Sequence, residues 1–431
     1  MQIGLIAYGT RGDVQPVLAL ALALQRRGHG VRVLAGANFG DWVRGLGLAF
    51  APINVDVQAW MASEDGVRWV EGKPWQQPIH MRRMFGKAAK AFQQGVFQGS
   101  TGLDVLMGSF TSDAFGLTVA QKMGIPYLRF LFQPFYPTRA GSATLIAPRP
   151  RNNSLLNLWM GCASEHAIYT VFGDDMADFR RELGLPSYSE REFVQVWRRL
   201  PTFYAFSKHV VPLPVDWSAS SQIGGYWFLD EETSEERSEG RGSEAEKPLE
   251  RLQAFLSDGP APVYIGFGSA TTSDPRAAAQ LIFDAVKQAN ARAILARGWS
   301  LMHNEIHPPD TVLVIDSAPH SWLFPRVAGV VHHGGAGTTA AGLRAGKPTF
   351  IVPHFAEQPF WGRRVHELGV GVKPIHRAKL TTEKLASGLS QLQNDAPMRQ
   401  RAAELGTRIT AEDGIGNAVA WVEEQISRLG Q

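Results

Sequence analysis

The stretch from His332 to Thr339 reads His-His-Gly-Gly-Ala-Gly-Thr-Thr, between the apolar run Val327 to Val331 and a helical pattern through Ala340 to Ala345. Such a segment can cradle a phosphate. Glycines let the backbone approach an anion, the N–H groups opening the helix point at it, and the helix dipole favours its charge. His333 adds a side-chain donor, while Thr338 and Thr339 can donate hydroxyls or cap the helix. A glycine-rich turn alone serves structural ends equally often. Some twenty residues on, after the strand pattern Thr349 to Val352, Glu357 and Gln358 put a carboxylate beside a carboxamide at a strand end. Taken alone that pair reads as a solvated loop. Near the start, Asp13 closes the turn Gly9-Thr10-Arg11-Gly12-Asp13 behind the apolar run Ile3 to Tyr8. It stands in a first strand-to-helix loop, at the carboxyl edge where parallel sheets bind ligands. It could equally cap a helix beginning at Val14.

These residues need elements to hold them, and the chain supplies strand-loop-helix units. Ile3 to Tyr8 reads as a strand, Val14 to Arg27 as a helix stopped by Gly28-His29-Gly30, and Val31 to Ala35 as the next strand. Asp104 to Met107, the helix Asp113 to Met123 and Pro126 to Phe130 repeat that grammar. From Asp230 to Glu250 nine acidic and three basic residues with Ser and Gly mark a solvated linker. The grammar restarts at Pro262 to Phe267, with a helix through Ala277 to Asn290 and a strand Ala293 to Ala296. A final helix carries Ala418, Val419, Trp421, Val422, Ile426 and Leu429 at helical spacing. A chain of 431 residues exceeds one core. The expectation is an α/β protein with an N-terminal domain over 1–215, a linker over 216–250, a second domain over 251–410 and a terminal helix over 411–431.

Composition excludes other classes. With 44% hydrophobic and 19% charged residues the chain is neither disordered nor built of membrane spans. Residues 1–215 carry 22 basic against 15 acidic residues, a net +7, and the remainder 21 − 25 = −4, summing to the formal +3. That modest asymmetry does not support nucleic-acid binding. Cys162 is the single cysteine, so no intramolecular disulfide forms and a reducing, cytoplasmic setting is expected. Met1-Gln2 runs straight into Ile3 to Ala7 without the charge-then-apolar pattern of a signal peptide.

Five ordered segments together resemble the family 1 glycosyltransferases, most of all their sterol glucosyltransferase branch. They are Gly12 to Pro16, Gly266 to Ser269, Pro319 to Pro325, His332 to Thr339, and Glu357-Gln358 with Trp361-Gly362. The resemblance implies the GT-B fold, two Rossmann-like doubly wound domains facing each other across a cleft. It implies inverting transfer of glucose from UDP-glucose to the hydroxyl of a lipophilic acceptor, without a metal or other cofactor. Carried over, it assigns the donor diphosphate to Ser269, His333, Gly335, Gly337 and Thr338, and the sugar hydroxyls to Glu357 and Gln358. A carboxylate that accepts, beside an amide that does both, suits vicinal hydroxyls. The nucleobase falls to Ser317, Ala318 and His320, with Trp299 as stacking partner or core residue; plant members carry Trp-Ala-Pro-Gln where this chain has Ser317-Ala318-Pro319-His320. Asp13 takes the role of general base, where plant relatives use histidine. An ordinary aspartate is a weak base, so apolar surroundings or late proton transfer must help it.

Three other functions use similar parts. A dehydrogenase would need the full G-x-G-x-x-G, which Gly9-Thr10-Arg11-Gly12 lacks. A nucleotide-sugar epimerase of the same architecture would need no acceptor, and a silent sugar-nucleotide sensor would not need Asp13 with Glu357-Gln358. No Asp-x-Asp pair of the metal-dependent glycosyltransferases occurs. For the acceptor, His80 to Phe92 sets Met81, Met84, Phe85, Ala88 and Phe92 on one helical face, with Arg82, Arg83, Lys87 and Lys90 largely off it. This basic amphipathic helix either packs on the N-terminal sheet or touches a membrane surface. Phe85, Phe92, Phe130 and Phe132 are the expected acceptor walls, favouring a sterol first and a polyphenol or polyketide second, possible TDP-sugar use included.

Overall fold

A computed structural model describes residues 1–71, 77–218, 220–230, 246–268, 274–298 and 307–429. Its contacts divide the chain into two compact units, Met1–Leu229 with Glu412–Gln431, and Asp230–Ala411. Residues 216–229, expected in the linker, belong to the first unit. There Trp227 is buried and stacks on Phe203 at 5.8 Å between centroids.

The first unit rests on seven parallel strands: β1 (Gln2–Ala7), β2 (Gly30–Gly36), β3 (Ala49–Ile53), β4 (Val105–Gly108), β5 (Tyr127–Leu131), β6 (Thr202–Tyr204) and β7 (Ser221–Ile223). Their order is β3-β2-β1-β4-β5-β6-β7. Strand Val105–Gly108 is apolar throughout and Tyr127–Leu131 is apolar but for Arg129, and both bury every residue, as a sheet covered on both faces requires. One face is covered by helix Arg11–Arg26 and by the C-terminal helix Gly414–Leu429, whose Ala418, Val419, Trp421 and Val422 are buried in the same core as Val17 and Leu20. The final 20 residues thus complete a core begun at the N-terminus.

The second unit holds six parallel strands: β8 (Val263–Gly266), β9 (Ala293–Ala296), β10 (Val312–Ile315), β11 (Gly329–His332), β12 (Thr349–Ile351) and β13 (Gly371–Val372). Their order is β10-β9-β8-β11-β12-β13. Counted within each unit, both sheets open 3-2-1-4-5-6, the order of dinucleotide-binding folds. Each therefore has one switch point, between β1 and β4 in the first and between β8 and β11 in the second.

Beyond the β4–β5 edge of that first switch point lies a buried polar network. Asp113 accepts hydrogen bonds from the Tyr127 hydroxyl at 2.9 Å and the Trp197 indole at 2.7 Å, and faces Arg129 Nη1 at 3.4 Å. Arg129 also donates to Thr202 Oγ1 at 3.0 Å and to the Tyr136 hydroxyl. Asp113 and Arg129 are each 1% exposed, so neither charge can be answered by water. Removing the carboxylate strands a guanidinium in the core, which costs about 3–5 kcal/mol. Urea unfolding of Asp113→Ala should register that loss; a change below about 1 kcal/mol would show the pair to be dispensable.

Candidate functional site

Helix Arg11–Arg26 starts two residues before Asp13, not at Val14, so Asp13 lies within its first turn. One carboxylate oxygen accepts the Thr10 N–H at 2.7 Å and lies 3.1 Å from the Thr10 hydroxyl, completing a capping box. Capping and chemistry do not compete for the whole group, since a carboxylate has a second oxygen. Gly9 permits this geometry: its φ of 140° is a region side chains avoid, and a Cβ there would collide with the Asp13 carboxylate. The carboxylate keeps solvent access, yet the protein packed around it raises its pKa by desolvation, against the lowering pull of the Thr10 N–H and hydroxyl. That shift moves it toward a useful base.

The aromatic residues expected as one acceptor wall fall into two groups. Tyr8, at the end of β1, packs edge-on against Phe92 at 4.5 Å and lies 6.3 Å from Phe85. Phe85 in turn meets Trp60 at 5.0 Å and Phe172 at 4.9 Å. Phe85 is half-buried and keeps surface for a ligand, whereas Phe92 is buried. Phe130 belongs to the opposite core, fully buried with Trp227 at 5.4 Å, and is no wall; Phe132 beside it stays half-buried. Helix Gln77–Gly99 buries Met84, Ala89, Phe92 and Val96 inside the unit. Its cations pair with neighbouring helices, Arg82 with Asp174, Lys87 with Asp65 at 2.6 Å and Lys90 with Glu182 at 3.7 Å. The core of its apolar face is therefore packed inside the unit, with Phe85 left half-buried.

In the second unit, β11 ends on His332 and the chain turns into helix Ala336–Arg344 with Gly335 as its N-cap. The backbone N–H groups of this first turn, including those of Gly337 and Thr338, precede any intrahelical partner and face outward along the helix axis. Thr339 is buried and its hydroxyl donates to Gly335 O at 2.9 Å, so it braces the turn and is not free for a ligand. The His333 ring lies against Gly335 and Gly268, where a Cβ would come within 2.6 Å of Nε2 and 3.1 Å of Cε1. Gly268 also has a φ of 60°, suited to glycine. His333 thus sits between the loops that leave β8 and β11, the two strands of the switch point.

Burial sets the protonation of this loop. His333 is pushed down to about 4 by desolvation, so near neutral pH it is an uncharged imidazole, not the cation a phosphate contact first suggests. His332 is fully buried and held well below the usual histidine range by desolvation, then by His333 and His320. Its Nδ1 accepts the Gly334 N–H at 3.0 Å, which puts the proton on Nε2. His354, at the end of β12, is lowered to about 3, chiefly by desolvation. It packs 5.8 Å from Phe267 and was not among the expected site residues; its position just beyond the strand Thr349 to Ile351 is the signal that marks it. His333 Nδ1 and His354 Nδ1 are both buried without a hydrogen-bond partner among the described residues. Buried polar atoms in that state call for a partner.

Glu357 is the N-cap residue of helix Gln358–Glu367 and is half-buried. Gln358 departs from expectation. Its Oε1 accepts the N–H groups of His354 at 2.8 Å and Phe355 at 3.2 Å, so the side chain holds the turn and only its amide N–H groups remain for a hydroxyl. Ser317 and Ala318 follow β10, with Ser317 exposed. His320 stacks on Phe324 at 4.2 Å. Ser269 and Trp299 lie outside the described residues. Among the described residues no group of three or more His, Cys, Asp or Glu side chains is arranged to hold a metal ion, and no helix is long and apolar enough to cross a membrane.

Comparison with known proteins accounts for both halves. Residues 3–142 match the glycosyltransferase family 28 N-terminal domain, and residues 279–420 match the erythromycin biosynthesis protein CIII-like C-terminal domain. A sterol 3-beta-glucosyltransferase of Arabidopsis thaliana is 34% identical over 430 residues, which is 97% of this chain and 67% of that protein. One of Yarrowia lipolytica is 33% identical over 440 residues, 97% of this chain but 28% of its own length, so this chain spans under a third of that relative. The Streptomyces glycosyltransferase SsfS6, solved with thymidine diphosphate, shares the fold with a TM-score of 0.60 at 20% identity over 98% of this chain and 99% of its own. The chain belongs to the GT-B glycosyltransferase family of which these sterol 3-beta-glucosyltransferases are members.

Proposed function

We propose that this chain transfers glucose, with inversion, from UDP-glucose to the hydroxyl of a sterol, using Asp13 as general base and no metal. The observation that carries this reading is that each sheet presents one half of the required chemistry at its own switch point: a carboxylate held in the capping turn after β1 and a glycine-histidine cradle after β11. The relatives' named activity supplies the sugar and the acceptor class.

In the second unit the diphosphate rests on the N–H groups of Gly337 and Thr338, with His333 donating one hydrogen bond and the helix dipole meeting the negative charge as UDP departs. Residues 317–320 follow β10, three strand spacings from β11. At about 4.8 Å per spacing that is roughly 14 Å, room for a nucleoside between base and diphosphate. Glu357 and the Gln358 amide N–H groups then hold sugar hydroxyls. In the first unit the acceptor hydroxyl gives its proton to Asp13 as its oxygen attacks the anomeric carbon, and the bond to the diphosphate oxygen breaks. Phe85, which stays half-buried, offers apolar surface in the same unit. A fused-ring alcohol gains about 25 cal/mol for each Å² it buries there.

Asp13→Asn can still accept the Thr10 N–H, so fold and UDP affinity should hold while turnover of a sterol falls about 10²–10⁴-fold. A drop under about threefold, measured by product mass with UDP-glucose, would remove Asp13 from the base role. His333→Ala should weaken UDP binding by about 1.5–3 kcal/mol in calorimetry, the worth of a hydrogen bond to a charged group. Unchanged affinity would relocate the diphosphate. Because His333 titrates near 4, UDP-glucose affinity should also stay level from pH 8 down to pH 6. Tightening on acidification, with a midpoint near 6.5 that His333→Ala abolishes, would mean that the imidazole binds as a cation.

A further inference from the structure

The first unit carries an apolar patch that the proposed chemistry does not use. Ile146 is 61% exposed, Leu155 65%, Leu156 43% and Trp159 63%. All belong to the segment that leaves β5 and enters helix Leu155–Glu182. The patch is built, not frayed. Asn157, fully buried at its centre, shares its two amide N–H groups among the carbonyls of Arg139, Arg149 and Asn152 at 2.9–3.0 Å and accepts the Arg149 N–H at 3.1 Å. The Ser154 N–H adds a bond to Arg139 O at 2.9 Å. One side chain thus pins the loop to the helix start and sets Leu155, Leu156 and Trp159 outward. Trp159 has no aromatic partner among the described residues.

Charge identifies what covers it. From Pro134 to Ser164 the chain has three arginines, Arg139, Arg149 and Arg151, and no acidic residue. All three are exposed, and none forms an ion pair among the described residues. The acid that reaches this loop, Asp216, is held by the Thr138 hydroxyl and the Arg139 N–H. An exposed indole with leucines, in a segment whose arginines are exposed and which holds no acid, matches the interfacial layer of an anionic bilayer, where aromatic rings sit at headgroup depth and cations meet lipid phosphates. A neutral lipophilic acceptor would answer the apolar side chains but none of the charge, and a second copy of the chain would bring its own arginines to the contact.

We infer that this patch docks the chain on an anionic membrane surface, through Trp159, Leu155 and Ile146 with Arg149 and Arg151. Docking is read without catalysis, so it stands or falls separately from the sterol reading. The test is sedimentation of the purified chain with vesicles of phosphatidylcholine alone and with 30% phosphatidylserine. The chain should bind the anionic vesicles at least tenfold more tightly, and salt should weaken that binding. Trp159→Ser with Leu155→Ser should reduce it about tenfold or more, and Arg149→Gln with Arg151→Gln about fivefold per charge. Thermal unfolding of each variant at the wild-type midpoint keeps the comparison clean. Equal binding to both vesicle types, or variants that bind as wild type, would overturn the inference. So would a raised KM for a detergent-solubilised acceptor with vesicle binding unchanged, which makes the patch an acceptor wall. Loss of a dimer in sedimentation velocity, again with vesicle binding unchanged, would make it an interface between copies.

Discussion

A parallel sheet whose strand order reverses once must open a crevice at its carboxyl edge, and both halves of the chemistry depend on that constraint. In the first unit the chain leaves β1 toward β2 and returns on the other side at β4; in the second it leaves β8 toward β9 and returns at β11. Right-handed crossovers send the two helices to opposite faces, so the loops at the reversal diverge and cannot cover each other. Backbone N–H groups and short polar side chains there face solvent while the strands beneath are buried. Asp13 and His333 occupy the two such places that this fold creates.

What rigid support makes of those places is a matter of desolvation. His333 rests on glycines of two loops, and its imidazole is neutral because protein surrounds it. Asp13 is raised by the same cause and partly restrained by Thr10. The two shifts act in opposite chemical directions, since burial weakens a cation-forming base and strengthens a carboxylate one. A neutral donor beside a leaving diphosphate and a carboxylate of enhanced basicity beside an acceptor hydroxyl both follow from the packing density of the loops, with no special charge partner.

The local grammar was legible because its signals are local. A glycine turn between an apolar strand and a helix is visible at Gly9 to Asp13 and at His332 to Thr339, and the structure puts both motifs at strand ends. The misreadings share one source, which is that the partner deciding a side chain's role is not written in the run that carries it. Phe130 in β5 and Phe132 just beyond it pack toward a core shared with Trp227 and the C-terminal helix, whose Trp421 lies some 290 residues away. Helix Gln77–Gly99 has the periodicity of a membrane-surface helix, but Asp174, Asp65 and Glu182, which pair with Arg82, Lys87 and Lys90, lie on other helices. Gln358 reads as a ligand of mixed character, but the turn at His354 and Phe355 takes its oxygen and leaves only its N–H groups for a hydroxyl.

The same accounting explains why the exposed patch differs from those misread segments. Helix Gln77–Gly99 finds acids for Arg82, Lys87 and Lys90 and a core for Met84, Phe92 and Val96, which leaves it less to gain from a bilayer. Around Trp159 neither demand is met among the described residues: the ring and the leucines stay in water, and Arg149 and Arg151 are exposed without an ion pair there. The buried Asn157, with four hydrogen bonds, makes collapse of the loop onto the core costly, because each bond would have to be broken inside the protein. A segment that keeps apolar side chains exposed by a buried polar clamp has its outward geometry enforced from within, and that enforcement is what separates a docking surface from scattered surface leucines.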